Sequence, residues 1–189
     1  MTTDTDRDEA RTTLRRLLLE RAVRRGVFTL SSGATSTYYI DCRTVTLSPD
    51  GLALVASLLL ESLPESIEAV GGPPRAADPL AIGMCLLSGQ RAGAYSRPLP
   101  AFMVRKEPKS HGTSKRVEGP VREGLRVALV EDTVTSGGSL IEAIDAVEEA
   151  GMTVGAIRCI VDREAGGLDI LRARGYDAAA LFTASELGL

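Results

Sequence analysis

The run Val127–Ser139, VALVEDTVTSGGS, commits this stretch of chain to a buried strand that turns directly into a helix. Val127, Ala128, Leu129 and Val130 make a continuous apolar segment of the length expected for a strand covered on both faces. Helical spacing resumes at Leu140, Ala143, Ile144 and Val147. The turn between them therefore sits at the carboxyl end of a strand, the edge of an open α/β sheet where ligands bind. A helix amino terminus at that edge offers unpaired N–H groups and a partial positive charge to a phosphate. Thr135, Ser136, Gly137, Gly138 and Ser139 fit the task, because glycines allow close backbone approach and hydroxyls add donors. Glu131 and Asp132 would repel a phosphate, so ribose hydroxyls or metal-bound waters are their natural partners. Phosphate donors and acidic hydroxyl acceptors a few residues apart describe a site for a sugar phosphate, with Mg²⁺ nearby. No lysine follows Gly138 as a Walker loop requires, and no G-x-G-x-x-G accompanies a distant ribose-binding acid.

Composition narrows the setting. A chain of 189 residues that is 44% hydrophobic can bury a substantial core, and we expect one domain spanning 1–189. A net charge of −3 argues against a general nucleic-acid surface, which needs a basic face. No apolar stretch approaches the roughly 20 residues that span a bilayer, and the start, MTTDTDRDEA, is acidic and polar rather than a signal peptide. A cytoplasmic protein with neither membrane nor nucleic-acid partners is the expectation. Cys42, Cys85 and Cys159 are odd in number and widely spaced, which indicates packing residues rather than a disulfide framework or a zinc site.

Patterning along the chain predicts a helix from about Asp6 to Arg25, stopped by Gly26. Short strands at Val27–Leu30 and Tyr38–Ile40 follow, separated by a run of small residues. A helix from Pro49 to about Leu63, a strand at Ile67–Val70, a helix at Pro79–Leu87 and a core strand at Phe102–Val104 come next. After the signature strand and helix, ended by Gly151, we expect a strand at Val154–Val161, a helix at Leu168–Arg174 and a strand at Ala178–Phe182. Strands alternating with helices imply an α/β fold whose parallel sheet is covered on both faces.

Between Arg105 and Gly119 the chain is polar, charged and without periodicity. Arg105, Lys106, Lys109 and His111 gather here, His111 being the only histidine. A charge run of this kind is often a solvated surface loop. Beside a site for a phosphorylated sugar it acquires a second reading, in which cations close over a leaving pyrophosphate and exclude water.

With these residues in view, the chain resembles the type I phosphoribosyltransferases, whose signature for phosphoribosyl pyrophosphate is the run at Val127–Ser139. Thr133 stands where that family usually has an aliphatic residue, and Ala128 is smaller than the usual strand residue. Within the group, RKEPKSHG at Arg105–Gly112 resembles the catalytic loop of the orotate phosphoribosyltransferases. Phe28–Gly33 with Tyr38 and Tyr39, Val161–Glu164, and Leu181–Thr183 are similar to further segments of that family, so the resemblance covers nearly the whole chain. It implies a type I phosphoribosyltransferase fold: a mainly parallel five-stranded sheet flanked by helices, with a small hood built by about residues 1–45.

The resemblance also implies a reaction and a set of roles. The reaction is the Mg²⁺-dependent transfer of ribose 5-phosphate from phosphoribosyl pyrophosphate to orotate, a pentosyl transfer in pyrimidine biosynthesis. Lys109, His111 and Asp132 would be catalytic. Arg105, Lys106, Lys109 and His111 would hold pyrophosphate, Glu131 and Asp132 the ribose hydroxyls, and Thr135, Ser136, Gly137, Gly138 and Ser139 the 5′-phosphate. Arg163 would face the orotate carboxylate, Tyr39 and Ile40 would flank the ring, and Ser32 and Gly33 would offer backbone donors to its carbonyls. No side chain is assigned as a metal ligand: Mg²⁺ would arrive on the pyrophosphate, with water linking it to Glu131 or Asp132. A homodimer that shares the catalytic loop across subunits is implied too. Ala76 marks a departure, standing where some members of the family have a lysine and others a glycine, with Arg75 as the neighbouring cation. Two other readings remain open at this point: an enzyme of the same site that acts on another base, and a regulator that binds phosphoribosyl pyrophosphate without turnover.

Overall fold

The computed structural model describes residues 4–29, 35–90, 98–106 and 115–189. Its centre is a parallel sheet in which β3 (Ala69–Gly71), β6 (Arg126–Val134), β7 (Thr153–Asp162) and β8 (Ala178–Thr183) lie side by side in that order. Helices cover both faces. On β6, Ala128 and Val130 point into a core that also holds Leu14, Leu59 and Leu80. Val127 and Leu129 point the other way, into a core with Leu140, Ile144 and Leu168. One four-residue apolar run thus serves two cores, as a strand buried on both faces must. The first core is roofed by α1 (Asp4–Leu17), α3 (Pro49–Glu61) and α4 (Ala77–Gln90), the second by α5 (Gly138–Glu149) and α6 (Gly167–Ala173).

Local signals explain most boundaries. Ser48 caps α3 by accepting from the Gly51 N–H at 3.3 Å, and Pro49 fills the first turn, where its missing N–H costs nothing. Gly151 continues past α5 at φ 74°, a left-handed conformation that glycine adopts without strain.

Two expectations need correction. The amino-terminal helix stops at Leu17; a wider π turn occupies Leu18–Ala22, and β1 (Val23–Thr29) has already begun where a helix was expected to Arg25. Pairing decides this: β1 runs antiparallel to β2 (Thr35–Ile40), with Val23 opposite Ile40 and Arg24 opposite Tyr39, and these partners outweigh the helix propensity of Arg24 and Arg25. Gly26 sits within the bulge between Arg25 and Phe28 instead of ending a helix. The second correction concerns the fifth strand. The described sheet has four strands, and Phe102–Val104 does not extend it as a regular member. Ala101 makes a single parallel bridge to Val70, after which β4 (Met103–Val104) turns to pair antiparallel with β5 (Val117–Glu118). The edge of the sheet is thereby drawn over toward the ligand side. A short helix α2 (Arg43–Thr46) follows β2. No helix among the described residues is long and apolar enough to cross a membrane.

Candidate active site

At the carboxyl edge of the sheet lies a cavity of about 1210 Å³. It is lined from the β1–β2 hood by Tyr39, Ile40, Asp41 and Arg43, and from the sheet by Glu131, Asp132, Thr133, Thr135, Ser139 and Arg163. The expected acids, two residues of the expected phosphate turn and the expected carboxylate-binding arginine therefore share one space. Arg105 and Lys106 line it on the side of β4. Lys109, His111, Ser32 and Gly33 lie outside the described residues.

β6 runs further than its apolar residues announced. Thr133 and Val134 still pair with Val161 and Asp162 of β7, so Glu131 and Asp132 are strand residues rather than turn residues. That fixes their backbone firmly. Glu131 is 7% exposed, and its Oε1 accepts from the Asp132 N–H at 3.1 Å. Burial, followed by the adjacent Asp132 charge, pushes the Glu131 carboxyl up to about 8. Burial raises Asp132 as well, while the charge of Arg43 opposes that shift.

The sign of the resulting pH dependence is fixed. Glu131 takes up its proton more readily folded than unfolded, where its carboxyl lies near 4.5, so its stabilising effect is complete below that value and disappears as pH rises toward about 8. Thermal unfolding of the empty protein should show a melting temperature that declines across this window, with the slope largely removed in Glu131→Gln. Parallel curves for the two proteins would contradict the assignment.

Past Val134 the chain turns sharply. Gly137 adopts φ 78°, and a Cβ there would meet the Gly167 carbonyl oxygen at 3.2 Å, so glycine is needed for conformation and for space. The first intrahelical bond of α5 runs from Ile141 N–H to Gly137 O, leaving the N–H groups of the preceding first turn available to an anion. Thr135 and Ser139 line the cavity; Ser136, Gly137 and Gly138 shape the bend beside it.

Arg163 follows β7 and is anchored by its N–H to the Val134 carbonyl at 2.9 Å. Its guanidinium lies 4.9 Å above the Tyr38 ring and donates to Ser36 Oγ at 3.3 Å. The hood thus aims this cation before any ligand arrives. Tyr39 packs beside Phe28 with ring centroids 5.7 Å apart, and Ile40 forms the buried part of the same wall. Opposite, the turn after β3 presses against the signature strand: a Cβ on Gly72 would meet the Val130 carbonyl oxygen at 2.2 Å. Arg75 in that turn holds φ 79°, a strained value for a residue with a side chain, and its N–H donates to Asp78 Oδ2 at 2.9 Å.

Some cavity residues escaped the sequence reading. Asp41 and Arg43 form a two-point ion pair, Nε to Oδ1 at 2.7 Å and Nη2 to Oδ2 at 2.9 Å, at the mouth beside Asp132. Arg116 and Glu142 line the far end. An acid and a base two apart at a strand end were the available signal for the first pair; none marked Arg116.

Parallel strands ending in a glycine turn at a helix amino terminus, under a two-stranded hood, define the class of the protein, and residues 56–173 match the phosphoribosyl transferase domain model. The orotate phosphoribosyltransferase of Rhodopirellula baltica is 41% identical over 180 residues, spanning 92% of this chain and 91% of that one. That of Streptomyces coelicolor is 44% identical over 172 residues, covering 90% and 92%. Among solved structures, the orotate phosphoribosyltransferase of Mycobacterium tuberculosis in complex with Fe(III) dicitrate superposes with a TM-score of 0.80 at 35% identity, covering 95% of this chain and 99% of that one. The same enzyme in complex with 5-phospho-alpha-D-ribosyl 1-diphosphate gives a TM-score of 0.76 at 33% identity, again covering 95% and 99%. The chain belongs to the orotate phosphoribosyltransferase family.

Proposed function

We infer that this chain is an orotate phosphoribosyltransferase acting in pyrimidine biosynthesis as a single domain, 1–189, with about residues 1–45 supplying the helix and hood. The observation that carries the reading is the convergence of Glu131, Asp132, Thr135, Ser139, Arg163 and Tyr39 on one cavity. Orotate N1, as an anion, attacks C1 of the sugar; the C1–O bond breaks, and pyrophosphate leaves with the electron pair. Orotidine 5′-monophosphate is the product. The transition state resembles an oxocarbenium ion, so the protein positions reactants and stabilises charge without a protein nucleophile. In this account Glu131 and Asp132 hold the ribose hydroxyls and favour positive charge on the sugar, and the turn Thr135–Ser139 grips the 5′-phosphate. Arg163 meets the orotate carboxylate, for which a planar guanidinium is well shaped. Arg105, Lys106 and Arg75 face the pyrophosphate, Arg75 supplying charge that Ala76 lacks, and Lys109 and His111 complete the grip. The hard carboxylate oxygens of Glu131 or Asp132 on the cavity wall suit a substrate-borne Mg²⁺ reached through water. An ion held there would supply charge neutralisation for the leaving pyrophosphate. The cytoplasm is the proposed compartment.

The fall in orotate absorbance in the presence of phosphoribosyl pyrophosphate and Mg²⁺ tests this reading. Turnover with orotate but not with purines is expected. Tight binding of the sugar substrate without turnover of any base would replace the reading with a regulator, and turnover of a different base would change the substrate.

A homodimer is part of the proposal. Ile82 and Leu86, 51% and 60% exposed, lie one turn apart on α4, and Met103 is 43% exposed nearby. Ile82 and Met103 line a shallow depression of about 200 Å³ that shares Asp78, Met103 and Glu118 with the large cavity. A second copy seated on this apolar patch would bring its own loop to the cavity mouth. Light scattering should report a dimer for the wild type and a monomer for Ile82→Asp/Leu86→Asp, with activity lost in step. A monomeric, fully active wild type would contradict it.

A further inference from the structure

Thr133, the polar residue where the family pattern has an aliphatic one, makes a specific contact. It lies on the cavity floor immediately after Asp132, and its Oγ1 is 3.6 Å from Sγ of Cys42. Cys42 is fully buried at the junction of β2 and α2, two residues beyond Ile40 and three beyond Tyr39. The contact spans 91 residues of sequence and joins the wall that flanks the base to the strand that carries the acids. An aliphatic side chain at 133 would pack in the same volume without joining them.

We propose that the Thr133–Cys42 hydrogen bond is a positioning contact that sets the gap between the Tyr39–Ile40 wall and the acid pair, and so tunes affinity for the pyrimidine. The proposal rests on the functional reading above. Two features of the site support it. Burial pushes the Cys42 thiol up to about 12, with the charge of Asp132 adding to the effect, so the group stays neutral and its hydrogen bond persists at every working pH. At the far end of β2 Arg163 donates to Ser36 and lies over the Tyr38 ring, while just beyond its near end the Thr133 contact adds a directional bond to the core packing of Ile40, Cys42 and Val45. Tyr39 and Ile40 lie between these two contacts, which together with the core packing of Ile40 set their orientation. Arg75, Arg105 and Lys106 lie on other elements and are not touched by this contact.

Kinetics with separate titration of each substrate test the assignment. Thr133→Val should raise the KM for orotate by about three- to tenfold, the span of a typical net hydrogen-bond contribution, leaving kcat and the KM for phosphoribosyl pyrophosphate within about twofold. Cys42→Ala should do the same, and the double variant should be no worse than either single one. Thr133→Ser and Cys42→Ser keep a hydrogen-bonding atom and should recover most of the affinity, which a purely volumetric role would not predict. An unchanged orotate KM in Thr133→Val, or effects that multiply in the double variant, would overturn the proposal. So would equal increases in both KM values accompanied by a fall in Tm. Absence of orotate turnover by the wild type would instead overturn the functional reading, so the two failures are distinct.

Discussion

Replacing Lys109 by alanine should lower turnover by about 10²–10³-fold, the range for loss of one preorganised charge-stabilising group. Binding of phosphoribosyl pyrophosphate should change only a few-fold. The asymmetry follows from where charge develops. Arg75, Arg105 and Lys106 line the cavity, and in the proposed ground state they already meet the diphosphate. As the C1–O bond breaks, negative charge accumulates on the departing oxygen, and only interactions that strengthen at that moment accelerate the step. Steady-state kinetics combined with calorimetric binding separate the two effects. Equal losses in turnover and affinity would reduce Lys109 to a simple binding residue.

The second large effect should come from the acid pair. Glu131→Gln and Asp132→Asn are each expected to lower kcat/KM by about 10²-fold or more, with the double variant losing less than the product of the two. Ionising both carboxyls is costly in the empty site, since burial raises each and the charge of Asp132 raises Glu131 further. Positive charge growing on the sugar relieves that cost, so the acids favour the transition state over the ground state. Substrate affinity should fall less than kcat/KM. A variant lacking both charges that retained wild-type kcat/KM would remove the acids from the mechanism.

Much of this site was legible in the sequence because the chemistry is local. At Val127–Ser139 the buried strand, the acids and the bend occupy consecutive positions, and each residue type announces its task. The extent of β6 was not legible. Glu131, Asp132 and Thr133 look like turn residues, yet β7 offers backbone partners as far as Val134, and ladder hydrogen bonds outweigh the polarity of the side chains. Val23–Arg25 misled for the same reason: pairing with Tyr38–Ile40 converts good helix formers into strand. The path of Phe102–Val104 depends on Val117 and Glu118, residues that no periodicity connects to it. Asp41, Arg43 and the Cys42–Thr133 contact became visible only when the hood was set against β6. Exposed Ile82 and Leu86 illustrate the converse, since an apolar helix face reads as core whether it meets the chain's own interior or another surface.

A crystal structure with ribose 5-phosphate bound tests the central claim most directly. The account predicts phosphate oxygens within hydrogen-bonding distance of the backbone N–H groups and hydroxyls of Thr135–Ser139, with the ribose hydroxyls of the same molecule on Glu131 and Asp132. A phosphate bound elsewhere, or a sugar that leaves both carboxylates untouched, would contradict it.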